Sequence, residues 1–150
     1  MPIVREIAPE ETGLAYTTFL ELRPHLASRE AMVEQINQLQ RPEGYRLLGS
    51  FEDGVEEPVA LAGFRFLHAL ACGHMLYGDD LVTCANFRGK RHAGRLMEWL
   101  FAEAKRQGCD QFHLDSGPQR LVAHRFYFNQ ELHISSYHFA RDLSQPFITR

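Results

Sequence analysis

Between residues 79 and 97 the chain reads Asp79-Asp80-Leu81-Val82-Thr83-Cys84-Ala85-Asn86-Phe87-Arg88-Gly89-Lys90-Arg91-His92-Ala93-Gly94-Arg95-Leu96-Met97, a strand that passes through a loop of glycines and cations into a helix. From Arg91 to Gln107 the apolar residues Ala93, Leu96, Met97, Leu100, Phe101 and Ala104 recur at helical spacing, and Gly108 stands where a C-cap is wanted. Arg88, Lys90, Arg91 and Arg95 crowd the start of that helix beside Gly89, Ala93 and Gly94. Cations there oppose the helix dipole, so a merely solvated first turn leaves them unexplained. Unpaired N–H groups at a helix start favour an anion instead, and a pyrophosphate suits the loop.

Upstream of this junction, Ile3 to Ile7 reads as a short strand, and Pro9, Glu10 and Glu11 open a helix that runs to about Leu22. Ser28 offers the N-cap of a second helix, on which Met32, Ile36 and Leu39 share one face. Tyr45 to Phe51 and Pro58 to Leu67 read as strands joined through Asp53-Gly54. After a turn at Ala71-Cys72-Gly73, a third strand runs from His74 to Cys84. Downstream, Gln111 to Asp115 is a strand, Pro118 to Asn129 a helix and Leu132 to Ala140 a last strand. The order predicts one α/β domain over residues 1–150, an antiparallel meander followed by β-α-β-α-β in a mixed sheet.

The 150 residues suit a single core, and a hydrophobic share of 45% with 23% charged residues sets disorder and fibrous architectures aside. The net charge of −3 argues against nucleic acid as a partner, because phosphate binding draws most of its affinity from strong positive charge. Cys72, Cys84 and Cys109 are widely spaced and form no C-x-x-C pair, which fits reduced thiols and a cytoplasmic address. No apolar run approaches the roughly 20 residues that a membrane span needs, so no membrane role is expected.

Phe87-Arg88-Gly89, Ala93 and Leu96-Met97 resemble the signature of the GNAT acetyltransferases, an aromatic-Arg-Gly-x-Gly-x-Gly/Ala loop opening a helix. Ala123-His124-Arg125-Phe126-Tyr127 is similar to that family's Ala-x-x-Phe-Tyr, and the element order extends the likeness over most of the chain. The resemblance implies a GNAT-like sheet with splayed central strands. It also implies acetyl-CoA as co-substrate, held by Leu81, Val82, Thr83, the loop from Arg88 through Gly89, Lys90, Arg91, His92, Ala93 and Gly94 to Arg95, and Tyr127, with the pantetheine arm near Val82 and Cys84. Two departures stand out. Arg91 occupies the place of the first loop glycine, and Arg120 that of an asparagine before the second motif.

The reaction so implied is direct attack of a primary amine on the thioester, with a small-molecule amine as the acceptor. It requires a neutral amine, an oxyanion donor and a proton for the leaving thiolate. By resemblance the oxyanion donor is the backbone N–H of about Leu81 and the general acid is Tyr127. Asp79 and Asp80 match the position of amine-binding acids, and strand alternation is expected to turn them to opposite sides of the sheet. Asp115 and Ser116, at the end of the flanking strand, are further candidates for substrate contact, with His113 beside them. Arg120 and Arg125 would serve as clamps were the acceptor anionic. A homodimer is compatible with this reading. An acyl-CoA-binding sensor or scaffold is the runner-up. A metal-dependent hydrolase would have to use His113, Asp115 and His124, so no metal is expected.

Overall fold

The computed structural model describes residues 1–144, in two compact units, Met1–Leu114 and a second that begins at Asp115. The first unit is a five-stranded sheet in sequential order: β1 (Ile3–Glu6), β2 (Arg46–Phe51), β3 (Ala60–Ala69), β4 (Gly73–Thr83) and β5 (Gln111–Leu114). Strands β1 to β4 form an antiparallel meander, and β5 lies parallel to β4. The expected mixed α/β sheet is therefore present, with the crossover from β4 to β5 carried by helix α3 (His92–Arg106).

Both sheet faces are covered. Leu47, Leu61 and Val82 pack with Phe19 of α1 (Tyr16–Leu22), Met32 of α2 (Arg29–Glu34) and Ile36. On the other face, Trp99 of α3 meets Phe64 edge-on with ring centroids 5.9 Å apart. A strand covered on both faces reads as continuous apolar sequence, which explains why Leu47 and Leu48 are both fully buried. In α3 the buried set is His92, Leu96, Met97, Leu100, Glu103 and Ala104, so a histidine and a glutamate enter the stripe in place of Ala93 and Phe101.

Three sequence expectations need correcting. Ser28 does cap α2, accepting from Ala31 N at 3.0 Å, but a π-helical turn follows over Gln35–Gln40. Its wider winding breaks the 3.6-residue phase. Met32 and Ile36 stay buried at 3% and 4%, while Leu39 is turned out to 63% exposure. In the second unit, Gly117-Pro118 forms a turn closed by Arg120 N to Gly117 O at 3.1 Å, so α4 spans Leu121–Asn129 rather than starting at Pro118. Last, Leu132 to Ala140 forms no strand. Alternation alone does not make a strand where no ladder satisfies the backbone, and Ile134, Tyr137 and Phe139 are exposed. Among the described residues, no helix is long and apolar enough to cross a membrane.

Candidate active site

Strand β4 carries the candidate chemistry, and its pairing explains how. Gly63 pairs with Asp80 and Phe64 with Gly78, so Asp79 is one residue more than β3 can match. Such a bulge breaks the two-residue alternation and re-aims a side chain. Asp79 and Asp80 therefore line the same cavity, contrary to the expectation that they face opposite sides.

The cavity, of about 350 Å³, lies within the first unit between β4, α1 and the α2 region. Arg23 donates through Nε and Nη2 to Asp80 Oδ1 at 3.1 and 2.9 Å, and the Tyr45 hydroxyl donates to Asp80 Oδ2 at 2.9 Å. Asp79 Oδ2 accepts from Arg65 Nε at 2.9 Å. Burial raises the Asp79 carboxyl above the usual carboxylate range, Arg65 opposes this, and the neighbouring Asp80 charge adds to it. Burial likewise pushes the Tyr45 phenol well up, so it stays protonated and able to donate. The Tyr45 ring reaches Asp80 by lying across β3 at Gly63, where an added Cβ would fall 1.8 Å from the phenol oxygen.

Beyond the bulge, the backbone of Leu81 is left unused by β3. Cys84 N donates to Val59 O at 2.8 Å and Val82 pairs with Leu61. Bonded and non-bonded pairs alternate along an antiparallel ladder, so Val82 exchanges bonds with β3 while the Leu81 N–H points the other way. On that side β5 pairs only as far as Gly78, which leaves Asp79–Thr83 as the splayed part of the strand.

The end of β4 is fastened to α1: Thr18 Oγ1 donates to Pro58 O at 2.6 Å and lies 3.2 Å from Cys84 Sγ, and Glu21 Oε1 accepts from Ala85 N at 2.9 Å. Burial raises the Cys84 thiol, so it is not a ready nucleophile. After a 3₁₀ turn at Ala85–Phe87 the loop opens with Gly89 at φ +78° and Arg91 at φ +66°, the latter capping α3 in a left-handed conformation. Arg91 thus adopts the backbone expected of the glycine it replaces. Among the described residues, no protein acceptor meets the N–H groups from Gly89 to Gly94, and a Cβ at Gly89 would meet nothing within 4 Å. Arg88 Nε bonds Thr83 O at 3.3 Å, Arg95 Nη1 bonds Lys90 O at 2.9 Å, and Lys90 Nζ sits 5.1 Å from the Phe87 ring centroid.

His92 behaves differently from its neighbours. Its ring is buried, with Nδ1 2.8 Å from Ser50 Oγ and Nε2 2.7 Å from Glu52 Oε2. An ionised carboxylate only accepts, so Nε2 carries the hydrogen that Glu52 takes. The side chain thereby pins the first residue of α3 to β2 and its turn, and only its backbone N–H is left for a ligand. Sequence reasoning missed this anchor, as it missed Tyr45, because both depend on side chains meeting across strands.

In the second unit, Tyr127 is buried on α4. Burial raises its phenol, with the Arg120 charge and the Ser116 hydroxyl opposing. Asp115 Oδ1 lies 3.3 Å from His138 Nδ1, and His124 Nε2 is bonded to Gly117 O at 2.8 Å. His113 Nε2 bonds Gln111 Oε1 at 2.6 Å in the first unit. Among the described residues, no group of three His, Cys, Asp or Glu is placed to hold a metal ion.

Residues 10–132 match the acetyltransferase (GNAT) family. An uncharacterized N-acetyltransferase of Bacillus subtilis (strain 168), YhdJ, is 31% identical over 118 residues, or 79% of this chain and 81% of that protein. Among solved structures, a transcriptional regulator from Bacillus halodurans C-125 superposes with a TM-score of 0.82 at 18% identity, covering 95% of this chain and 100% of that one. The aminoglycoside N-acetyltransferase AAC(6')-Iy in complex with CoA gives a TM-score of 0.81 at 13% identity, covering 95% of each chain.

Proposed function

The chain belongs to the GNAT family and is an acetyl-CoA-dependent acyltransferase, and from that premise we propose that it N-acetylates a primary amine of a small molecule by direct attack on the thioester. The observation that carries this reading is the β4 bulge, which turns two acids into one cavity immediately before a backbone N–H that β3 does not use. Acetyl-CoA supplies the activated acetyl group. The loop N–H groups from Gly89 to Gly94 and the flanking Arg88, Lys90 and Arg95 hold its pyrophosphate, and Val82 and Thr83 border its arm.

Asp79 attracts the acceptor as an ammonium and takes up its proton, a role suited to a carboxylate whose proton affinity burial has raised. The Leu81 N–H donates to the carbonyl oxygen as charge develops there. As the N–C bond forms and the C–S bond breaks, the leaving thiolate takes the Tyr127 proton, which that phenol retains at neutral pH, and the second proton that the nitrogen sheds on becoming an amide restores the phenol.

Thiol release from acetyl-CoA across an amine panel tests the proposal. Tyr127→Phe should lower kcat by about 10²-fold and leave the CoA Kd unchanged. CoA binding with no turnover on any amine would favour the sensor reading instead.

A further inference from the structure

Resting on the reading of Asp79 as the group that takes up the acceptor's proton, we infer that Tyr45 is a positioning residue for that step: its phenol holds Asp80 as the fixed, ionised member of the acid pair and so leaves the exchangeable proton to Asp79. The two acids are chain neighbours in the bulge but are held differently. Asp80 accepts on both oxygens, from Arg23 at Oδ1 and from the Tyr45 hydroxyl at Oδ2. Among the described residues, Asp79 accepts at Oδ2 only, from Arg65. Donors favour the charged form of a carboxyl, so a proton offered to two adjacent carboxyls settles on the one with an oxygen to spare. That one is Asp79. Burial is the first cause that raises its carboxyl, Arg65 opposes this, and the charge kept on Asp80 adds to it.

Of the two donors on Asp80, the phenol is the one that solvent does not replace. Arg23 ends α1 with a side chain 44% exposed, whereas Tyr45 is 2% exposed. Its hydroxyl comes from the core across Gly63, the β3 residue paired with Asp80, and occupies the space of the side chain that the glycine lacks. Burial holds the phenol well above its ordinary value, so it keeps donating throughout the neutral range. The other charged or titratable groups around the pair are Arg23 and His25 on the cavity lining, Arg65 with Glu43 behind it at 3.4 Å, and Arg41 near the phenol. Tyr45→Phe alters none of these, so their titration cancels when that variant is compared with the unmodified protein.

Loss of the phenol oxygen should let Asp80 compete for the proton, so the pair should release its last proton about one pH unit higher in Tyr45→Phe. Carbon-13 titration of the aspartate carboxyls reads this without any acceptor. In an Asp80→Asn background the same substitution should leave the Asp79 titration where it was, because Tyr45 acts through Asp80. With the amine that the panel finds fastest, kcat/KM of Tyr45→Phe relative to the unmodified protein should be near one at about pH 8.5 and fall about tenfold towards the acid limb. An unmoved titration, a shift that persists without Asp80, or a loss of rate equal at every pH makes Tyr45 a packing residue and overturns the inference, with Asp79 still the base. Undiminished kcat/KM in Asp79→Asn removes that base, and this inference falls with it.

Discussion

Arg91 holds φ at +66°, where an L side chain crowds the backbone at a cost of about 1 to 2 kcal/mol. Among the described residues its only ion pair, 3.7 Å to Glu98, is exposed on both sides and offers little in return. Arg91→Gly should therefore leave chemical stability unchanged or raise it by up to about 1 kcal/mol, because relief of strain outweighs the extra backbone entropy. Arg91→Val should lower it. Calorimetry with CoA separates the roles: an unchanged Kd in the glycine variant makes the backbone the ligand, and a large loss makes the guanidinium one. Gly89→Pro should weaken CoA binding, since proline can adopt neither φ +78° nor a donating N–H. Gly63 is needed for a different reason. A methyl there collides with the buried Tyr45 phenol, so Gly63→Ala should destabilise by about 1–3 kcal/mol and break the bond to Asp80, whereas Tyr45→Phe should break that bond with the packing kept. Denaturant unfolding of the two variants checks the contrast.

At the scale of elements, Glu103 ties α3 to β2. Its side chain is buried, accepting from Arg46 Nη1 at 3.2 Å, Gln107 Nε2 at 3.0 Å and both donors of Arg106. Arg106 chiefly, with Gln107 and Arg46, holds its carboxyl at about 2 against an ordinary 4.5. A carboxyl depressed on folding stabilises above its unfolded value, and that stability is lost as pH falls through the folded one. Stability measured between about pH 4.5 and about 2 should thus fall less steeply in Glu103→Gln, which should also be weaker at pH 7 by about 1–3 kcal/mol. Helix α3 is legible in the sequence because its stripe is a local spacing, and the loop before it because glycines and cations are local chemistry. The β4 bulge is not legible. It arises from a mismatch in count between two strands, and nothing in Gly78-Asp79-Asp80 marks it. The π turn after Ser28 escapes for a related reason, since Gln35 to Gln40 carries no breaker and the apolar spacing continues through it.

For the whole molecule, a ligand bound only by the folded state adds about 2.7 kcal/mol at a hundredfold excess over its Kd, so CoA at that level should raise Tm by roughly 5–10 °C. No shift at millimolar CoA would count against the loop as its site. The order of β2, β3 and β4 is readable because each follows the last through a short connection, whereas the pairing of β1 with β2 across the intervening helices and the missing final strand are not, because pairing depends on a partner that the segment's own residues do not specify.

The extra residue at Asp79 makes acceptor choice partly a question of parity. Positions on a strand come in two kinds, so deleting that residue would not nudge the strand's aim. It would remove one acid and restore strict alternation from Gly78 to Asp80 in a single step. Gradual change is open instead to α1, α2 and the π turn, whose wall residues can be exchanged one at a time without disturbing Leu81 or the loop. Divergence in acceptor preference among descendants of this chain should accumulate in those helices, with β4 serving as the fixed datum against which they drift.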